Sequence, residues 1–281
     1  TGLAARDIAM NVALPEVDGR ILTRAVSFKS ERSFDAATEC GIVAHMPRAD
    51  RIDFVAQLAK NWARLARTAA SERRVCVVLA NYPNKDGRIG NGVGLDTPAS
   101  AVRLLAALQA EGYSLDALPA DGAALMAALQ AGPTNALSAY AKSSGGARFS
   151  LDDYQDFLSD LDSHARLRVA ERWGAAESDP FFRPEYNFFV LPVLSFGNVI
   201  VAIQPARGYN IDPAASYHDP DLPPPHGYLA FYAWLRRAFD AHAVLHLGKH
   251  GNLEWLPGKA LALSAACFPE AALGPLPHIY P

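Results

Sequence analysis

The run Val75-Cys-Val-Val-Leu-Ala80 constrains this chain most. A continuous apolar segment of this length, without polar alternation, suits a strand covered on both faces, as in a parallel sheet. A glycine-rich loop follows from Asn81 to Leu95, with Gly87, Gly90, Gly92 and Gly94. A helix is then predicted, capped by Asp96 or Thr97, with Pro98 in its first turn and Gly112 just past its end. Strand, glycine loop and helix form half of a βαβ unit.

The same alternation recurs along the chain. Asp53 to Ser71 has apolar residues at helical spacing, namely Phe54, Val55, Leu58, Trp62, Leu65 and Ala66. Ala120 to Gln130 reads as a helix stopped by Gly132-Pro133. Ser150 and Asp153 predict a capped start for a helix reaching Trp173. Phe188–Leu194 and Val199–Gln204 flank Ser-Phe-Gly-Asn and read as a hairpin or two core strands. A helix over Tyr228–Asp240 leads to a strand at Ala243–Leu247. The runs before residue 45, Ile8–Leu14 and Ile21–Phe28, read as strands or irregular structure. The expected class is α/β, with Rossmann-like or flavodoxin-like modules, mostly parallel strands and flanking helices. Ser143-Ser-Gly-Gly146 suggests a boundary between modules 1–145 and 146–281.

Charge and cysteine content narrow the function classes. With 26 basic and 29 acidic residues the net charge is −3, so a nucleic-acid footprint is not expected. The longest apolar stretch, Phe188 to Ile203, is too short to span a bilayer and is interrupted by polar and turn residues. Cys40, Cys76 and Cys267 are far apart and form no CxxC pair. Each is expected to pack as a small buried hydrophobe, in a reducing, cytoplasmic setting.

Three motifs can carry chemistry. The glycine loop permits close backbone approach to a ligand, with Lys85 and Arg88 nearby. It matches neither GxGxxG nor the P-loop pattern, and a ligand-free turn is the plainer reading. His246, His250 and Glu254 are spaced four apart. They would share a helix face, because four residues rotate only about 40°. Gly248 and Gly251 interrupt that segment, so a strand end feeding a loop is expected, where open α/β sheets place ligands. Imidazole with carboxylate suits borderline divalent metals and proton transfer near neutral pH. A satisfied core histidine at 246 and a Glu254 paired with Lys249 or Lys259 are the structural alternatives. Third, Arg207 in Gln204-Pro-Ala-Arg-Gly-Tyr-Asn210 can clamp a carboxylate from a strand end. His218 and His226 are possible rim residues.

The wording of these motifs is unusual. Val78 to Ser100, His246 to Lys259, Leu273 to Pro281 and the opening Ala5 to Gly19 resemble the corresponding blocks of the CobN/magnesium chelatase large-subunit family. The resemblance covers the whole chain, and Asn84-Lys-Asp-Gly87 and Lys249-His250 favour its cobalt branch. It implies an internal segment of a much longer subunit that binds hydrogenobyrinic acid a,c-diamide and Co2+ in aerobic cobalamin synthesis. ATP with Mg2+ would be hydrolysed by two partners, CobS and CobT, which form an AAA+ motor. The His-Gly-x-x-Glu block, thought to line the catalytic cavity, points to His250 and Glu254 as catalytic and to His246, His250 and Glu254 at the metal. Arg88, Asn91, Arg207 and Lys249 are carried over as substrate-binding. The alternatives are insertion of Mg2+ into protoporphyrin IX, a non-catalytic tetrapyrrole carrier, or a metal-dependent hydrolase.

Overall fold

The computed structural model describes residues 4–82, 85–137, 144–208, 219–248, 253–259 and 263–280. Its centre is a five-stranded sheet. In chain order its strands are β3 (Val75–Leu79), β7 (Val193–Phe196), β8 (Val199–Ile203), β9 (Ala243–Leu247) and β10 (His278–Ile279). The spatial order is β10-β9-β3-β8-β7; β7 alone is antiparallel to its neighbour. The α/β class with a mostly parallel sheet follows directly.

Strand alternation sorts the buried residues into two cores. On β3, Val75, Val77 and Leu79 face one core together with Val199, Val201 and Ile203 of β8. That face is covered by α4 (Thr97–Ala110) and α5 (Gly122–Ala131), through Ala101, Leu105, Leu125 and Leu129. Cys76 and Val78 of β3, Ile200 and Ala202 of β8, and Val244 of β9 face the other core. There α8 (His226–Arg237) and α9 (Phe268–Leu273) cover the sheet. The unbroken apolar run at 75–79 is thus explained by burial on both sides, every residue being buried.

The sheet takes β3 from before the boundary expected at 145/146 and β7 to β10 from after it. The two halves therefore share one sheet. A second, antiparallel sheet of order β4-β6-β5 uses β4 (Ala147–Ser150), β5 (Phe182–Arg183) and β6 (Phe188–Leu191).

Other departures have local causes. The expected single helix from Ser150 to Trp173 is two helices, α6 (Leu151–Asp160) and α7 (Ser163–Trp173). Leu161 is extended, and the Asp162 carboxylate accepts the N–H groups of His164 and Ala165, starting a new helix. Ser150 caps the first as expected. Pro192 separates β6 from β7, so only 193–196 and 199–203 form the hairpin. The helix expected at 53–71 is α3, Ala49–Arg67.

Ala5–Val17 is helical rather than a strand: α1 (Ala5–Ile8) and α2 (Leu14–Val17) flank a π-helical turn. Alanine, methionine and leucine favour helix intrinsically there. An antiparallel pair, β1 (Ser27–Asp35) and β2 (Cys40–Pro47), follows. Cys40 stands exposed at the start of β2, against expectation, whereas Cys76 and Cys267 are buried; all three are free. No described helix is long and apolar enough to cross a membrane.

Candidate functional site at the carboxyl ends of three strands

The three sequence motifs leave the carboxyl ends of three neighbouring parallel strands. β3 runs into the glycine loop, β8 into Gln204–Arg207 and β9 into Gly248. The ends are locked together: Ala80 N–H donates to the Leu247 carbonyl and Gln204 N–H to the Leu79 carbonyl. The helix after β3 lies on one face of the sheet, and those after β8 and β9 lie on the other. Connections diverging from neighbouring strands open a crevice at their carboxyl ends, where such sheets bind ligands.

Backbone geometry brings the loops close. Gly248 has a φ of +139°, and an added Cβ would lie 2.8 Å from the Ala80 Cβ. Only glycine suits that junction. Gly90 N–H donates to the Ala80 carbonyl, folding the glycine loop back onto the strand end. Across the crevice, Tyr82 and Trp255 meet edge to face with ring centroids 4.9 Å apart. The start of the glycine loop thus touches the turn that carries Glu254.

On the α8 face of the sheet, the strand ends carry neutral polar side chains. His246 is buried, and its Nε2 lies 2.9 Å from Gln204 Oε1 and 3.3 Å from the Tyr232 hydroxyl. Its Nδ1 lies 2.6 Å from His278 Nε2. The amide oxygen of Gln204 only accepts, so His246 Nε2 carries the proton and Nδ1 presents its lone pair to His278. Burial, reinforced by the neighbouring His278, pushes the His246 pKa down to about 3. The ring is therefore neutral at any physiological pH. Burial also lowers the pKa of His278, which is partly exposed.

Tyr228 and Tyr232, one helical turn apart on α8, are fully buried beside this cluster. Burial drives the Tyr228 hydroxyl well above its ordinary range; Tyr232 and the Glu254 carboxylate add to this and Arg207 opposes it. Gln204 Nε2 is buried without a hydrogen-bond partner among the described residues. Such a group is costly unless something satisfies it. Asn135 closes the cluster from the α5 side: its amide donates to the Gln204 carbonyl, and its oxygen accepts from Ala206 N–H.

The residues singled out in the sequence fall into three groups. His246, Arg207 and Glu254 belong to one electrostatic neighbourhood around Tyr228 and Tyr232. Arg207 is buried and donates from Nη2 to the Asp219 carbonyl, while Glu254 is exposed. Burial lowers the Arg207 pKa, with Tyr228 and Asp219 opposing. Arg88 is exposed in a short turn, and Asn91 N–H donates to its carbonyl. Lys249, His250 and His218 lie outside the described residues. His226, a suggested rim residue, is buried instead: its ring bonds the Tyr154 hydroxyl and the Gly174 carbonyl. Among the described residues, no group of three His, Cys, Asp or Glu is placed to hold a metal ion.

The sequence motifs do not include His278, Gln204, Tyr228 and Tyr232 as site residues. The tyrosines were legible as an i, i+4 pair, and Gln204 continues the α8-facing parity of Ile200 and Ala202 on β8. The position of His278 depends on the parallel pairing of β10 with β9, which no local pattern announces.

The CobN/Magnesium Chelatase family profile matches residues 1–281. The chain is 61% identical over 280 residues to the aerobic cobaltochelatase subunit CobN of Sinorhizobium sp, covering 100% of this chain and 22% of that protein. The CobN protein of Pseudomonas aeruginosa is 54% identical with the same coverage. A magnesium-chelatase subunit of Chlorobaculum parvum is 30% identical, covering 99% of this chain and 21% of the relative. Among solved structures, the catalytic subunit of cobaltochelatase from Mycobacterium tuberculosis superposes with a TM-score of 0.83 at 43% identity. It covers 100% of this chain and 23% of its own. The chain thus spans about a fifth of the length of these relatives.

Proposed function

The chain belongs to the CobN/magnesium chelatase family, and on that premise we propose that it forms the tetrapyrrole- and metal-binding part of an ATP-dependent cobaltochelatase. The single observation that carries this reading is the convergence of the three motifs on the carboxyl ends of β9, β3 and β8. Identity of 61% to a CobN protein, against 30% to a magnesium-chelatase relative, favours Co2+ over Mg2+. The substrate in this reading is hydrogenobyrinic acid a,c-diamide. CobS and CobT supply ATP hydrolysis.

Insertion of the divalent ion into the corrin ring displaces its inner N–H hydrogen as a proton, so a base must receive it. The exposed Glu254 carboxylate, together with His250, takes this role. The neutral His246 serves poorly as a base, since its pKa of about 3 leaves it little affinity for a proton. The metal substrate must be held by few ligands, because a closed four-ligand cage would retain it. Macrocycle carboxylates are met by the cations of the loops, Arg88, Lys249 and Arg207. The Tyr82–Trp255 pair offers an aromatic wall between the two loops. Coupling to ATP requires that the two states of the loops bind substrate or product with different affinity.

The test is metal insertion by the protein in its natural length, with CobS, CobT and ATP. Co2+ insertion into hydrogenobyrinic acid a,c-diamide, lost in Glu254→Gln and His250→Ala, supports the reading. Preferential insertion of Mg2+ into protoporphyrin IX contradicts it.

A further inference from the structure

We propose that His246 Nδ1 and His278 Nε2 form a two-imidazole site for a borderline divalent cation, the metal substrate of the reaction proposed above. The inference rests on that reading and extends it to a residue, His278, to which the sequence motifs gave no role.

The geometry supports it in three ways. First, the two ring nitrogens point at each other 2.6 Å apart, with the rings nearly perpendicular. Two lone pairs cannot face each other at that distance, so one proton lies between them. His246 has already given its proton to the Nε2 side, where Gln204 Oε1 accepts it. The shared proton therefore belongs to His278. Second, the Gln204 contact is the kind of outer support that metal-ligating histidines require: the far nitrogen donates to an oxygen, fixing tautomer and ring orientation. Gln204 is itself held at the end of β8, where Asn135 binds its carbonyl. Third, the partners differ in freedom. His246 is fixed in a central strand, whereas His278 belongs to the two-residue edge strand β10 and is partly exposed. Its Nδ1 has no hydrogen-bond partner among the described residues.

Ion entry follows from these facts. Two bonds of about 2.1 Å at a tetrahedral angle need the nitrogens about 3.4 Å apart, which a small outward movement of His278 supplies. His278 releases its Nε2 proton and takes one up at Nδ1, so the pair stays neutral. Two nitrogen ligands, with water completing the shell, hold borderline ions such as Co2+, Ni2+ or Zn2+ in preference to Mg2+. They also hold them loosely enough for transfer.

The experiment is a Co2+ titration of the protein in its natural length, followed by the visible ligand-field bands of the ion and by calorimetry. His278→Gln is the principal variant because His278 is partly exposed; His246→Gln is the second, checked for folding by circular dichroism. Hydrogenobyrinic acid a,c-diamide is titrated in parallel. The expected result is a Co2+ site weakened tenfold or more in His278→Gln, with altered ligand-field bands and unchanged pigment affinity. Unaltered Co2+ affinity and spectrum in His278→Gln would overturn the proposal. So would an equal loss of Co2+ and pigment binding, which marks a general disturbance of the site. Absence of pigment binding in the unsubstituted protein would instead count against the proposed function, while the Co2+ titration still decides the role of His278.

Discussion

The two ends of the central sheet are both polar, yet they are built on opposite principles. At the amino end, charges satisfy one another. Asp240 pairs with Arg64 at 2.6 Å and with Arg74, and the Arg74 N–H donates to His242 Nδ1. At the carboxyl end the buried groups around His246 are neutral, with the cation of Arg207 beside them, and Gln204 Nε2 lacks a partner among the described residues. A closed set of half-exposed ion pairs fastens strands and helices. An incompletely satisfied, buried polar set signals a place shaped for something else. The strands are the same, so the difference arises in the loops that follow them.

Substitutions can break or sharpen this contrast. The largest effect is expected from Glu254→Gln, which should slow metal insertion about 100-fold, as loss of a proton acceptor does. Its melting temperature should stay near that of the unsubstituted protein because the side chain is exposed. An unchanged turnover rate would remove the carboxylate from the chemistry. Next comes Gly248→Ala. The added methyl would meet Ala80 at a φ of +139°, and a strained backbone of this kind costs on the order of 1–3 kcal/mol. Chemical denaturation should show that loss; an unchanged midpoint would mean that the β9–β3 junction yields more easily than its geometry indicates.

Gln204→Leu separates site from stability. It removes an unbonded N–H pair but also the acceptor of the buried His246 Nε2 proton, so unfolding free energy should fall by about 1–3 kcal/mol. It also frees the tautomer of His246, and Co2+ affinity should fall about tenfold, as for other outer partners of metal ligands. A large loss of stability with intact Co2+ affinity would reverse the assignment of the two ends.

The smallest effect belongs to the amino end. Asp240→Ala should cost about 1 kcal/mol, in the upper range of half-exposed ion pairs, and leave insertion unaffected. Its pH dependence has a definite sign. Burial alone would raise the Asp240 pKa, but hydrogen bonds and charge from Arg64 and Arg74 prevail and lower it. The advantage over the variant is therefore full above the ordinary carboxylate pKa of about 3.9 and is lost as pH falls through the lower folded value. Denaturation curves at pH 7 and pH 3 should show the gap closing; a gap that widens with acid would contradict the pairing.

The sheet's core was legible because its residues obey local rules. Val75–Leu79 is apolar throughout since both faces are covered, and Ala243–Leu247 reads similarly. The caps at Asp96 and Ser150 bond as their spacing implied. The opening helix and the break at Leu161–Asp162 were hidden. The opening helix has no buried face to impose a period, and the break was masked because both flanking helices bury apolar residues that read as one continuous pattern. The site was half legible. His246, Arg207 and Glu254 lie in recognisable motifs, but Gln204, Tyr232 and His278 meet His246 only through the packed fold, across 42, 14 and 32 residues of chain. Long-range register leaves no trace in a local window.

The most direct test of the central claim is an absorbance titration with hydrogenobyrinic acid a,c-diamide, with protoporphyrin IX as competitor. It compares the unsubstituted protein with Arg88→Glu at the carboxyl end and Asp240→Ala at the amino end. If the open end is the tetrapyrrole site, binding is saturable and selective, weakens in Arg88→Glu and is unchanged in Asp240→Ala. Binding that is insensitive to Arg88→Glu but lost in Asp240→Ala would place the macrocycle at the wrong end of the sheet and contradict the account.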